Sequence, residues 1–185
     1  MKSTKLLHNT LINECKNNNP KAQLKLYKLY SKAMLLVANR YMKDRFLAED
    51  IMQDAFIKAF KNIDTYKEEV AFGAWLKKIV INHSIDELKK KKLVTISMHE
   101  EVIDKAHEDN WEVEDGVTVE MITKAIYKQK EKYRLVLSLY LIEGYDHKEI
   151  SQILGITEVT SRTHLMRGKK LVVEHIKNTN YAAGY

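Results

Sequence analysis

Cysteine is almost missing from this chain of 185 residues: Cys15 is the single one. One thiol cannot close an internal disulfide, so nothing points to an oxidising compartment. Proline is as scarce, with Pro20 alone, and there are only 6 glycines. Sheet-rich folds place such residues in their many turns, so the shortage leans the chain toward helix. Long apolar runs are lacking too; none nears the ~20 residues that a membrane span needs. The opening stretch MKSTKLLHNTLINECKNNNP holds no long apolar run and no small-residue cleavage site. It does not read as a secretory signal, and the cytoplasm is the expected location.

The marks of catalysis are also wanting. There is no GxxxxGK[ST] loop to cradle a phosphate. The 7 histidines are scattered along the chain, without metal-ligand spacing, and Cys15 has no partner. Glu49, Asp50 and Asp54 are close in sequence, but no Glu-x-x-His accompanies them. No metal, no cofactor and no enzyme chemistry are expected.

What the chain does have is 45% hydrophobic residues, enough for a real core, and 30% charged residues. The length suits one medium domain or two small ones. The formal net charge of +6 favours a polyanionic partner, most often nucleic acid.

Helical periodicity runs through most of the sequence. Asn19-Pro20 is the first clear start, a capping residue followed by a proline whose missing N–H is not needed at that position. Leu24, Tyr27, Leu29, Met34, Val37 and Tyr41 then recur at helical spacing. A second helix follows Lys43-Asp44, with Leu47, Ile51, Ala55, Phe56, Ala59, Phe60 and Ile63 as its apolar positions. A third runs from about Ala71 to Lys92 on Phe72, Trp75, Leu76, Ile79, Val80, Ile85 and Leu88, and ends in four lysines. On this spacing Phe56 and Trp75 are core residues. From His99 to Glu120 the chain turns acidic and loses its period, which reads as a linker between domains. Helices return at Val119, as one or two segments up to Leu141.

The segment DHKEISQILGITEVTSRTHLMRGKKL, Asp146 to Leu171, has helix-turn-helix spacing. Ile150 and Leu154 make the apolar face of a short first helix. Gly155 suits the tight turn, and Thr157 can cap the second helix. That second helix offers Glu158, Val159, Thr160, Arg162, Thr163, Met166 and Arg167. Arginine can grip a guanine edge with two bonds, and threonine can touch a base edge or a thymine methyl. Lys169 and Lys170 suit phosphate contacts, and His147 and His164 read as DNA-facing polar residues rather than ligands.

The stretch YRLVLSLYLIEGYDHKEISQILGITEVTSRTHLMRGKKL resembles the C-terminal promoter-reading domain of bacterial sigma factors, in particular the extracytoplasmic-function (ECF) group. AEDIMQDAFIKAFKNI, Ala48 to Ile63, is similar to that family's polymerase-binding helix. FGAWLKKIVINHSIDELKKKK, Phe72 to Lys92, resembles the helix that opens and reads the upstream melting element. The resemblance implies an all-α chain of two small helical domains joined by a flexible acidic linker. Residues 1–95 would bind core polymerase and read and melt the −10 element, 96–118 would link, and 119–185 would read the −35 element.

The resemblance also implies roles. Glu49, Asp50, Gln53, Asp54 and Phe56 fall where the family binds the clamp helices of the largest polymerase subunit. The segment from Asn62 to Phe72 falls where it captures an unstacked base. Lys61, Asn62, Phe72, Lys77, Lys78, Asn82 and Asp86 would meet the −10 DNA. Thr157, Glu158, Val159, Thr160, Arg162, Thr163, Met166, Arg167 and Lys170 would meet the −35 DNA. Implied partners are core RNA polymerase, including the flap of its second-largest subunit, promoter DNA and an anti-sigma factor, with no membrane insertion. The chain departs from the family's pattern in places. Gln129-Lys130 stand where members often carry Leu-Pro, so a single longer helix could run through. Ser161 stands where a valine is common in the elbow, where it could pack with a hydrogen bond. A stand-alone DNA-binding regulator is the alternative, though it has no need of the AEDIMQDAF helix.

Overall fold

The computed structural model describes residues 2–94 and 116–182, so most of the acidic linker lies outside the described residues. The chain divides into two compact units, Met1–Ile96 and Ser97–Tyr185. Every regular element among the described residues is helical.

The first unit begins with a helix the sequence reading did not foresee, α1, Lys2–Lys16. Its buried Leu11, Ile12 and Cys15 hold it against α2, Pro20–Tyr41. Asn18 adopts φ 56° between them, a left-handed conformation that asparagine tolerates better than most residues. The Asn19 carboxamide oxygen then accepts from the N–H groups of Lys21 and Ala22, at 3.0 and 3.3 Å. Such a cap stabilises a helix start by ~1 kcal/mol.

Helix α3, Arg45–Lys61, starts in the same manner, with Asp44 Oδ1 accepting from the N–H groups of Phe46 (2.8 Å) and Leu47 (3.3 Å). It buries Ala48, Ile51, Met52, Ala55, Phe56 and Ala59. Three alanines on that face let α2 and α4, Phe72–Val94, approach closely, and the three helices pack against one another. Phe72, Leu76, Val80, Ile81 and Ile85 are among the buried residues of α4. A 3₁₀ turn, Ile63–Thr65, and a loop connect α3 to α4.

In the second unit α5, Val119–Lys128, and α6, Glu131–Leu137, are separate helices. The break at Gln129-Lys130 therefore forms without a proline, and no single helix runs through. Both residues are extended, with ψ 159° and 145°. The buried Gln129 side chain donates to Ala125 O at 3.0 Å and so occupies a carbonyl left open at the end of α5. Helix α6 continues as a π-helical turn, Ser138–Ile142. Then come α7, His147–Leu154, and α8, Glu158–Ala182.

Candidate functional site

The turn between α7 and α8 is built as the sequence predicts. Asp146 caps α7 by accepting from Glu149 N–H at 2.7 Å, and the Glu149 carboxylate accepts from Asp146 N–H at 2.9 Å. This reciprocal pair fixes the start of the helix. Gly155 ends it at φ 70°, where a β-carbon would be strained. Thr157 Oγ1 accepts from Thr160 N–H at 3.1 Å and so starts α8.

Helix α8 buries Ser161, Leu165, Gly168, Val172 and Ile176, a spacing that keeps one face inward. At Gly168 a β-carbon would lie 2.9 Å from Leu137 Cδ1, so glycine is what lets α8 lie this close to α6. The opposite face exposes Thr157, Glu158, Val159, Arg162 and Lys170, with Thr160, Met166 and Arg167 half-buried. Arg162 and Glu158 form an ion pair at 3.5 Å across one helical turn. Thr163 departs from expectation. It is buried, and its hydroxyl donates back to Val159 O at 3.0 Å.

His147, at the first turn of α7, shares a 2.9 Å hydrogen bond with the fully buried Ser161 Oγ. Its ring stacks on Tyr140 at 4.8 Å. Burial holds its pKa below the ordinary 6.5, and the neighbouring Arg162 adds to that. The serine that replaces an apolar elbow residue is therefore satisfied by a side chain of α7. His147 thus ties the two helices together rather than facing solvent alone.

In the first unit, α3 presents Asp50, Gln53 and Asp54 to solvent, with Glu49 half-buried and paired to Arg45 at 3.2 Å. Asp50 and Gln53 share one line of the helix, with Asp54 four residues on from Asp50. Phe56 is not among them. It is 2% exposed and meets Tyr27 edge-on at 4.9 Å, as its apolar spacing predicted.

On α4, Lys78, Asn82 and Asp86 follow at four-residue steps and are all exposed on one face. Lys77 is half-buried and lies on another face. Lys61 and Asn62 are exposed at the end of α3. Phe72 is 3% exposed and belongs to an aromatic cluster with Tyr30, Tyr66 and Trp75, ring centroids 5.4–5.5 Å apart. It is a core residue rather than a DNA contact. Trp75 is half-buried in the same cluster.

The loop between α3 and α4 is held by its own hydrogen bonds. The Tyr66 hydroxyl donates to Val70 O at 2.7 Å, and Thr65 Oγ1 donates to Asn62 O at 2.7 Å. A cleft of about 330 Å³ opens beside it, lined by Tyr30, Tyr66, Glu68, Glu69 and Phe72, with His8, Asn9 and Ile12 contributed by α1. Sequence reading missed this wall because it missed α1. Among the described residues no group of three or more His, Cys, Asp or Glu is arranged to hold a metal. No helix among them is long and apolar enough to cross a membrane.

A capped helix-turn-helix with an arginine-bearing second helix, and a separate three-helix core that shows an acidic face, define a two-unit helical transcription factor. Sigma-70 region 2 matches residues 26–94, and Sigma-70 region 4 matches residues 120–172. The two matches stand in that family's order and cover more than half the chain. The chain belongs to the sigma-70 family of RNA polymerase sigma factors, ECF group, and it acts in promoter-specific transcription initiation.

Among its relatives, the ECF RNA polymerase sigma factor SigW of Bacillus subtilis is 28% identical over 182 residues, covering 90% of this chain and 95% of the relative. ECF RNA polymerase sigma factor SigM of the same organism is 29% identical over 153 residues, covering 78% and 89%. The fold is similar to that of the sigma factor RpoE from Bartonella quintana, crystallised with the anti-sigma factor NepR. The TM-score is 0.51 at 19% identity, over 83% of this chain and 95% of that one.

Proposed function

We propose a division of labour within the chain. The N-terminal unit docks on the clamp helices of the largest polymerase subunit through Glu49, Asp50, Gln53 and Asp54 of α3. It reads and melts the −10 element with Lys61, Asn62, the loop that follows and the Lys78–Asn82–Asp86 face of α4, with Lys77 at its flank. The cleft beside Tyr66, about 330 Å³ in volume, receives one unstacked base, with the half-buried Tyr30 ring at its wall to stack on. The C-terminal unit reads the −35 element with the exposed face of α8. Arg162, Met166 and Arg167 meet bases, while Thr157, Glu158, Val159 and Thr160 enter the groove first and Lys170 holds phosphate. This unit also reaches the flap of the second-largest subunit.

The chain performs no covalent step of its own; the polymerase makes the bonds. It works in the cytoplasm, under the control of an anti-sigma factor of the kind that binds RpoE of Bartonella quintana. The observation that carries the reading is the pairing, in one chain, of an acidic exposed α3 face with an arginine-bearing helix-turn-helix. A stand-alone DNA-binding regulator would need only the second.

Transcription in vitro from promoter templates, with core polymerase alone and with this protein added, tests it. Specific transcripts that depend on the protein are expected. Asp54→Lys should weaken binding to core polymerase, and Arg167→Ala should weaken protection of the upstream promoter element. If no specific transcript forms while the protein alone grips a defined DNA site, the reading is wrong and the regulator is right.

A further inference from the structure

Helix α3 is apolar on two sides. Its inner face is complete, with Ala48, Ile51, Met52, Ala55, Phe56 and Ala59 all buried. Yet Phe46 is 80% exposed and Ile57 is 51% exposed. These are not core residues that have slipped outward, because the core positions are already filled. At 100° per residue, Phe46, Asp50, Gln53 and Ile57 fall on one line along the outer surface. Two apolar side chains thus bracket Asp50 and Gln53. Large apolar side chains set among polar ones on an otherwise solvated helix face mark a contact surface.

The charge on this line narrows what that contact is. Between Phe46 and Ile57 the helix carries Glu49, Asp50 and Asp54 and no cation; Arg45, at one end, is paired with Glu49, and Lys58 follows at the other, so Asp50 and Asp54 set the sign of the face. Nucleic acid and anionic lipid are repelled by such a face. A second copy of the chain, docking the same patch on itself, would set carboxylates against carboxylates. A basic protein surface with apolar recesses is what complements it.

The face is also preorganised. Asp44 fixes the first turn by accepting from Phe46 N–H at 2.8 Å, so the anchor's backbone is already ordered before docking.

We infer that Phe46 and Ile57 are the apolar anchors of the α3 docking face, seated in recesses of a basic helical surface on core polymerase, with Asp50 and Gln53 between them. This rests on the reading of α3 as the polymerase-binding helix and adds two residues to it. Aromatic anchors flanked by polar contacts carry most of the affinity in interfaces of this kind.

The test is titration of core RNA polymerase with the labelled full chain as wild type, Phe46→Ala, Ile57→Ala, the double variant and Asp54→Lys. Leu36→Ala serves as the control, an apolar residue 65% exposed on α2. Phe46→Ala should lose about tenfold or more in affinity and the double variant more still. Leu36→Ala should bind as wild type, and the thermal midpoints of the Phe46, Ile57 and Leu36 variants should match, because the side chains removed are exposed. If the double variant binds normally while Asp54→Lys is weakened, the anchors are wrong and the docking helix stands. If neither is weakened, both fall. A double variant whose affinity loss comes with a matching fall in thermal midpoint would make the pair structural and overturn the inference.

Discussion

Lys58 Nζ on α3 lies 2.7 Å from His83 Nδ1 on α4. A lysine ammonium can only donate, so Nδ1 accepts and the imidazole proton sits on Nε2. Nε2 faces Asp54 Oδ2 at 3.5 Å. The imidazole is 6% exposed, whereas Asp54 is open to solvent. A buried ring on α4 therefore steadies two surface groups of α3, one of them in the proposed docking face. His83→Ala should lower the stability of the N-terminal unit by roughly 1–3 kcal/mol through lost packing and hydrogen bonds. Lys58→Ala should cost well under that, since the exposed ammonium gives up little. Urea midpoints of the two variants check the order, and equal effects would contradict it.

At Gly168, α8 packs tightly against α6. A β-carbon there would sit 2.9 Å from Leu137 Cδ1 and 3.0 Å from Cγ, and Leu137 is fully buried and has no room to turn away. Gly168→Ala should therefore destabilise the C-terminal unit by about 1–3 kcal/mol, in spite of alanine's better helix propensity. Leu137→Ala in the same chain should give back part of the loss. A double-mutant cycle measures that coupling, and simple additivity would refute the contact.

His147 makes the C-terminal unit sensitive to acid. Burial, Arg162 and Lys169 lower its pKa, against the opposing pull of Asp146 and Glu158. The unfolded chain then holds more of this proton than the folded one between the folded pKa and about 6.5, so stability rises with pH across that window. It is fully present above 6.5 and falls on acidification until the folded pKa is reached. Proton NMR titration of the His147 ring should give a midpoint below 6.5. His147→Gln should flatten the loss of thermal stability between pH 7.5 and 5.5. A midpoint at or above 6.5 would contradict both the burial and the Ser161 bond as its setting.

Cys15 is fully buried between α1 and the rest of its unit, and burial with the neighbouring Glu14 pushes its thiol up to about 11. The reactive thiolate is therefore scarce at neutral pH as well as shielded. In native buffer the thiol should react with an aromatic disulfide reagent orders of magnitude more slowly than in denaturant. Rapid native labelling would mean that α1 opens readily from α2.

How far the residues themselves reveal this arrangement differs from element to element. Asn19, Gly155 and Thr157 can be read directly as starts and stops, because capping is a local matter of one side chain and the next two or three amides. Phe56 could be placed in the core from spacing alone. Helix α1 escaped notice since the burial of Leu11, Ile12 and Cys15 is defined by what α2 offers them. The break at Gln129 was ambiguous because no proline enforces it; a buried amide bonded to Ala125 O does the work instead.

Composition and period determined that this chain is helical, where its helices are capped and that its C-terminal part is a helix-turn-helix. Those properties depend on residues within a turn or two of each other. Tertiary structure decided which side of each helix is covered. Phe72 and Thr163 were sealed, Phe46 and Ile57 were left outside, and His147 was joined to Ser161. A helix's own sequence sets the angles between its side chains but not the neighbour that comes to lie on them. That choice belongs to contacts between residues far apart in the chain, and the exposed faces of α3 and α8 are what those contacts leave over.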